Sequence, residues 1–202
     1  MSRKLFDQAL EAAKAYHAAL PAVAEFQPWP DDITWADREG QGIPGAALVQ
    51  SDPGFAAEGI PAAAEVRALQ QAIMALAPHA EWRLTYTEDE VGQDFLQRFG
   101  WFELVGPTGH FHSLQSRMTI GYWGPRLDYP WHQHGPEELY TILSGSADFM
   151  AKGEEVRRLM PGDTKMHGAN QPHAMITNEH SILCFVFWRG EGLADDPAMS
   201  PG

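Results

Sequence analysis

Cysteine is nearly absent from this chain, with Cys184 alone among 202 residues. One thiol cannot close an intrachain disulfide and supplies no thiolate set for a zinc finger, so a reducing compartment, the cytoplasm, is the simplest setting. Basic residues are scarce as well: 14 against 27 acidic ones, for a net charge of −13. That balance repels nucleic acid and anionic membrane surfaces and leaves small neutral, zwitterionic or cationic molecules as partners. No run approaches the roughly 18 apolar residues of a membrane span. Residues 1 to 20 carry Asp7 and Glu11 among alanines, where a signal peptide would have a continuous apolar core.

Apolar and aromatic residues are plentiful. Hydrophobic residues make up 44% of the chain, with 7 Trp, 5 Tyr and 10 Phe, enough for a core without covalent staples. Phe6, Ala9, Leu10, Ala13 and His17 recur at helical spacing over residues 3 to 20, ending before Pro21. Residues 27 to 59 are rich in Pro, Gly and Asp and read as a long irregular connection, a candidate lid or dimer arm. Pro61 suits the first turn of a second helix, whose stripe is Val66, Leu69, Ile73 and Leu76. Thr87 with Glu90 is a capping box, opening a third helix that turns Val91, Phe95 and Phe99 inward and stops at Gly100.

After Gly100 the pattern changes to short segments of β-branched, aromatic and aliphatic residues separated by turn formers: 101–105, 115–123, 139–143, 147–151, 155–159, 174–177 and 181–188. The expected architecture is therefore mainly β, a sandwich or small barrel over residues 101–192, preceded by a mainly α-helical region, 1–100, that packs on the barrel or on a partner subunit. Residues 193–202 read as a tail. A homodimer is among the assemblies this plan allows.

The stretch Tyr129-Pro-Trp-His-Gln-His-Gly-Pro-Glu-Glu-Leu-Tyr140 holds the chemistry. In an extended strand residues two apart face one side, so His132, His134, Glu138 and Tyr140 are placed to share a face. Two imidazoles and a carboxylate at one point suit a divalent transition metal, and Pro172-His173 is the best source of a fourth ligand. His167 competes with His173 for that place. His110 and His112 form a second His-x-His that lacks a following Glu and reads as strand or loop histidines; His17, His79 and His180 read as surface or helix-face residues.

His132-x-His134-x-x-x-Glu138 with Gly145 beyond it, then Pro161-Gly162-Asp163 and Pro172-His173, resembles the two sequence motifs of the cupin superfamily. The resemblance implies a jelly-roll or double-stranded β-helix barrel with a metal in its mouth, held by His132, His134, Glu138 and His173. Imidazole and carboxylate serve iron, zinc, manganese, nickel or cobalt, and Fe2+ is placed first. Adding Tyr129, Tyr140 and Trp188 to the pattern, the chain looks like the cupin-type dimethylsulfoniopropionate lyases of marine bacteria. That likeness implies β-elimination on a small zwitterion, with Tyr140 as the base, Tyr129 as orienting group or second acid/base, and Trp188, Tyr122 and Trp131 as aromatic contacts for the sulfonium. Two other readings of the same metal motif are an iron-dependent cupin dioxygenase and a non-catalytic cupin that senses or stores a small molecule.

Overall fold

The computed structural model describes residues 2–51 and 64–201. Helix α1 (Ser2–Ala19) buries Phe6, Ala9, Ala13 and Tyr16, one stripe at the spacing expected from the sequence. Pro21 does not end the helical course, because its missing N–H is harmless in a first turn and α2 (Pro21–Phe26) starts there. His17 is buried, not a surface residue: its Nε2 meets the Gln27 carbonyl at 2.8 Å and its ring stands edge-on to Trp29.

The segment expected to be irregular is partly ordered. It contains β1 (Thr34–Trp35), which pairs antiparallel with β3 (Phe111–His112), and α3 (Pro44–Ser51). Residues 52–63, with Pro53 and the Pro61 expected to open a helix, lie outside the described residues. Helix α4 (Ala64–Leu76) buries the predicted Val66, Leu69, Ile73 and Leu76 and is followed by a 3-10 turn, Ala77–His79. The third helix splits at Gly92, whose φ of 78° breaks the helical backbone, into α5 (Glu88–Val91) and α6 (Gln93–Arg98). The Thr87/Glu90 capping box is formed, and Phe99 opens a strand instead of closing a helix.

Among the described residues, eleven strands follow β1. They are β2 (Phe99–Gly106), β3, β4 (Arg117–Trp123), β5 (Asp128–Gln133), β6 (Glu137–Ser144), β7 (Ala147–Ala151), β8 (Arg157–Leu159), β9 (Thr164–His167), β10 (His173–Thr177), β11 (Ile182–Arg189) and β12 (Ala198–Met199). They form a seven-stranded sheet in the order β1-β3-β2-β4-β11-β6-β9 and a five-stranded sheet in the order β12-β5-β10-β7-β8. Sequence periodicity missed the short β9 and β12. The 193–202 segment is not a free tail: Met199 pairs with His132 and Ala198 with Gln133.

Side-chain alternation explains why the long strands of the larger sheet read as unbroken apolar runs. On β4, β6 and β11, Ile120, Tyr122, Leu139, Leu143, Phe185 and Phe187 pack with α1 and α4 in one core. The intervening Trp123, Tyr140, Ile142, Cys184, Val186 and Trp188 pack toward the smaller sheet in a second core. Both faces are therefore covered, one by helices and one by strands. The helical region and the strands share the first core, and the two facing sheets make a mainly β double-sheet barrel, as expected from the sequence. Gly145, with φ 73°, turns β6 into β7 where a Cβ would lie 1.7 Å from the Ser181 carbonyl oxygen; only glycine fits.

Candidate metal centre and cavity

The stretch 129–140 is not one strand. It breaks at Gly135-Pro136 into β5 of the smaller sheet and β6 of the larger one. His132 therefore approaches from the smaller sheet, His134 from the turn just after β5, and Glu138 and Tyr140 from the larger sheet, so convergence does not come from one strand face. His173 joins them because β10 pairs with β5 in a register that sets it opposite His132.

The Nε2 atoms of His134 and His173 lie 3.3 Å and 3.1 Å from Glu138 Oε2. Three backbone carbonyls fix the imidazole tautomers: Nδ1–H of His132 donates to Pro130 O at 2.8 Å, that of His134 to Pro136 O at 2.9 Å, and that of His173 to Gln171 O at 2.8 Å. Carbonyls can only accept, so each Nε2 is left as a lone pair. Among the described residues, His134 Nε2 and His173 Nε2 are buried with no hydrogen-bond partner. Buried polar atoms are seldom left so. Donors about 2.1 Å from a shared cation stand about 3.0–3.4 Å apart at tetrahedral or octahedral angles, which matches both spacings.

The ligand atoms of His134, Glu138 and His173 form a group within 4.8 Å of one another. His132 stands outside that group, its ring 4.1 Å from that of His173. Burial, then the neighbouring His173, holds the His132 imidazole well below its ordinary pKa, the neutral form a metal needs. His167 takes a different place: its Nδ1–H donates to Glu138 Oε2 at 3.0 Å and its ring stacks on His173 at 4.0 Å. Burial pushes His167 down to about 4. Glu138 Oε1 accepts a further bond from Trp188 Nε1–H at 2.8 Å. Burial would raise the Glu138 carboxyl, but the neighbouring His134 and the hydrogen bond from His167 hold it well below the usual range, and it is ionised.

A cavity opens beside these groups, lined by His132, His134, Glu138, Tyr129, Tyr140 and Trp188 together with Thr85, Phe99, Trp101, Arg117, Trp123 and Pro197. Both phenols face it. Tyr129 stacks on His132 at 4.0 Å and spends its hydroxyl on Tyr86, 2.9 Å away; Tyr140 stands among Trp123, Phe149 and His167. Burial first raises both hydroxyls well above the ordinary tyrosine value; Tyr86 then adds to the effect at Tyr129 and Glu138 at Tyr140.

Two of the aromatic contacts expected from the sequence lie elsewhere. Tyr122 is buried on the helix side of β4, because the pleat turns Trp123, its neighbour, to the cavity. Trp131 is half-buried on β5 next to His132, and it is not part of the cavity wall. Trp188 does line the cavity, with its ring against His134 at 4.1 Å and the Arg117 guanidinium at 4.7 Å. Trp101, Arg117, Thr85 and Pro197 went unnoticed in the sequence. No motif marks them; tertiary folding alone brings them in. His110 is a buried interior histidine whose Nε2 accepts from the Glu81 N–H at 3.0 Å. His112, on β3, is half-buried with Nδ1 to Pro107 O.

The family model for dimethylsulfoniopropionate lyase matches residues 49–184. The chain is 38% identical to dimethylsulfoniopropionate lyase DddQ of Ruegeria pomeroyi over 186 residues, 92% of this chain and 90% of that protein. Its structure superposes on the crystal structure of the Ruegeria pomeroyi enzyme with a TM-score of 0.90 at 37% identity, covering 98% of this chain and 96% of the other. A structure solved in work on the lyases RdDddP and RnDddQII matches with a TM-score of 0.93 and 49% identity over the whole of both chains.

Proposed function

The chain belongs to the dimethylsulfoniopropionate lyase family, and from that premise we propose that its cavity cleaves dimethylsulfoniopropionate by metal-assisted β-elimination, giving dimethyl sulfide and acrylate. One observation carries the metal part: two buried imidazole lone pairs, pinned from behind by backbone carbonyls, have no hydrogen-bond partner among the described residues and converge on an ionised carboxylate. His132, His134, Glu138 and His173 would hold a divalent transition ion, with Fe2+ first and Zn2+, Mn2+, Ni2+ or Co2+ accepted by the same donors. A cation bound there supplies Lewis-acid stabilisation for negative charge that develops next to the substrate carboxylate.

The remaining work falls to the chain's own side chains. Tyr140 removes the proton from the α carbon. The electron pair of that C–H bond becomes the α–β double bond, the bond from the β carbon to sulfur breaks, and sulfur leaves with its pair as neutral dimethyl sulfide. A protonated phenol is inert as a base, and burial beside Glu138 keeps Tyr140 protonated, so the reaction requires positive charge close to this hydroxyl. A cation held by His132, His134, Glu138 and His173 would supply it. Tyr129, held by Tyr86, orients the substrate from the facing sheet. The sulfonium is a cation with methyl groups on its surface, and the rings of Trp101, Trp123 and Phe99 in the wall suit it through cation–π attraction. Kinship over most of the chain with a named lyase supports elimination over the dioxygenase and sensor readings.

Headspace measurement of dimethyl sulfide from the purified protein tests both parts. Release is expected to stop after treatment with a chelator and to return when an ion is restored. Release that persists in fully stripped protein would remove the metal from the mechanism, and no release from the loaded protein would remove the substrate.

A further inference from the structure

The helical half of the chain sends one phenol toward the site from behind. Tyr86 lies in the connection between the 3-10 turn and α5, and its hydroxyl meets that of Tyr129 at 2.9 Å in a buried contact. It does not line the cavity; Tyr129 stands between.

The connection is fixed on both sides of Tyr86. Arg83 and Trp101 exchange backbone hydrogen bonds, N–H of Arg83 to Trp101 O at 2.7 Å and N–H of Trp101 to Arg83 O at 3.2 Å. Thr85 Oγ1 accepts from the Trp101 indole at 2.8 Å, and Thr87 is tied into its capping box. The Tyr86 ring is set edge-on against Tyr129 at 5.8 Å and Phe95 at 6.4 Å. A hydroxyl on such a mount has little freedom to move.

We propose that Tyr86 is a positioning residue for the elimination, fixing the hydroxyl of Tyr129 in place and deciding which way its proton points. The inference rests on the lyase reading of the same cavity. A phenol has one proton to donate and lone pairs to accept with. When Tyr86 donates to Tyr129, the Tyr129 proton is free for a negatively charged group in the cavity. Without Tyr86 the Tyr129 hydroxyl can turn, and each turnover must first find the productive orientation. The arrangement also gives the helical region a part in the chemistry beyond packing on the barrel.

The test is a double-mutant cycle on metal-loaded protein with Tyr86→Phe, Tyr129→Phe and both together, reading kcat, KM, metal content and melting temperature. Each substitution keeps the ring, so the packing survives. Tyr86→Phe is expected to lower kcat roughly fivefold to tenfold, the worth of one hydrogen bond, with metal content unchanged and the melting point within a few degrees. In the Tyr129→Phe background the same change should cost nothing further. Wild-type kcat in Tyr86→Phe, additive losses in the double variant, or a loss that follows metal content or melting temperature each overturns the proposal. A fully active Tyr129→Phe overturns it too while leaving the lyase reading intact, whereas wild-type protein that releases no dimethyl sulfide defeats that reading itself.

Discussion

Trp188 and Glu138 lie directly opposite each other on the adjoining strands β11 and β6, and the indole N–H donates to Glu138 Oε1 at 2.8 Å. With His167 on Oε2, both carboxylate oxygens are held by donors from the same sheet. The register places them there: His167 also pairs with Glu138, from the other flanking strand β9.

Trp188→Phe keeps most of the ring and removes the donor. Outer partners of a metal ligand are commonly worth about 10–100-fold in metal affinity, and a loss in that range is expected in competition against a chelator. Unchanged affinity with a raised KM would mean instead that Trp188 serves the substrate through its ring, as its place in the cavity wall would also allow.

Tyr140→Phe separates the base from the metal. The hydroxyl is two residues along β6 from Glu138, but the ring packs against Trp123, Phe149 and His167, and phenylalanine keeps those contacts. Removal of a general base costs about 10²–10⁴ in rate. Dimethyl sulfide release should fall by that amount while metal content stays at the wild-type level. If Tyr129→Phe shows this profile and Tyr140→Phe does not, the two phenols exchange roles.

The sequence displays this site unevenly, for physical reasons. His132, His134, Glu138 and His173 are visible because chelation demands particular side chains, and His173 follows a proline in a spacing few other functions would produce. That they meet across two sheets was not visible: alternation gives the same pattern for one strand as for two strands joined by a tight Gly135-Pro136 turn. Tyr86 and Arg117 carry no local signal, since Tyr86 owes its place to a partner 43 residues away and Arg117 is held by Glu103 of another strand and by the Leu193 and Asp195 carbonyls. The helix stripe of α4 was readable because burial on one face imposes a 3.6-residue period. β12 was not, because a strand of two residues shows no period at all.

His110 makes stability depend on pH away from the cavity. Burial lowers its pKa to about 4 from an ordinary 6.5, since a charged imidazole is poorly placed against Phe6, at 4.2 Å, and Phe102. The unfolded chain therefore binds this proton at higher pH than the folded one. Its contribution is fully present above pH 6.5 and is lost as the pH falls toward 4, with a slope of at most about 1.4 kcal/mol per pH unit. Denaturant titrations of wild type and His110→Gln between pH 7 and 4.5 should show a shallower decline in the variant, whose amide can still accept from the Glu81 N–H. Parallel curves would assign the acid sensitivity to other groups.

Gly121 is the clearest case of a residue whose absence of a side chain builds the cavity. It lies on β4 in the wall, and a Cβ there would sit 2.4 Å from the Trp123 ring. Trp123 has nowhere to retreat, being packed against Phe99 at 5.4 Å, Tyr129 at 5.5 Å and Tyr140 at 6.2 Å. Gly121→Ala should therefore cost about 1–3 kcal/mol as overpacking and push the indole toward the phenols, raising KM and lowering kcat. Gly42→Ala, where nothing lies within 4 Å of the added methyl, is the matched control and should stay within about 0.5 kcal/mol of wild type. Trp123→Phe placed on Gly121→Ala shortens the obstructing ring and should recover part of the lost stability. If it recovers none, the strain lies in the β4 backbone and not in the contact between these two residues.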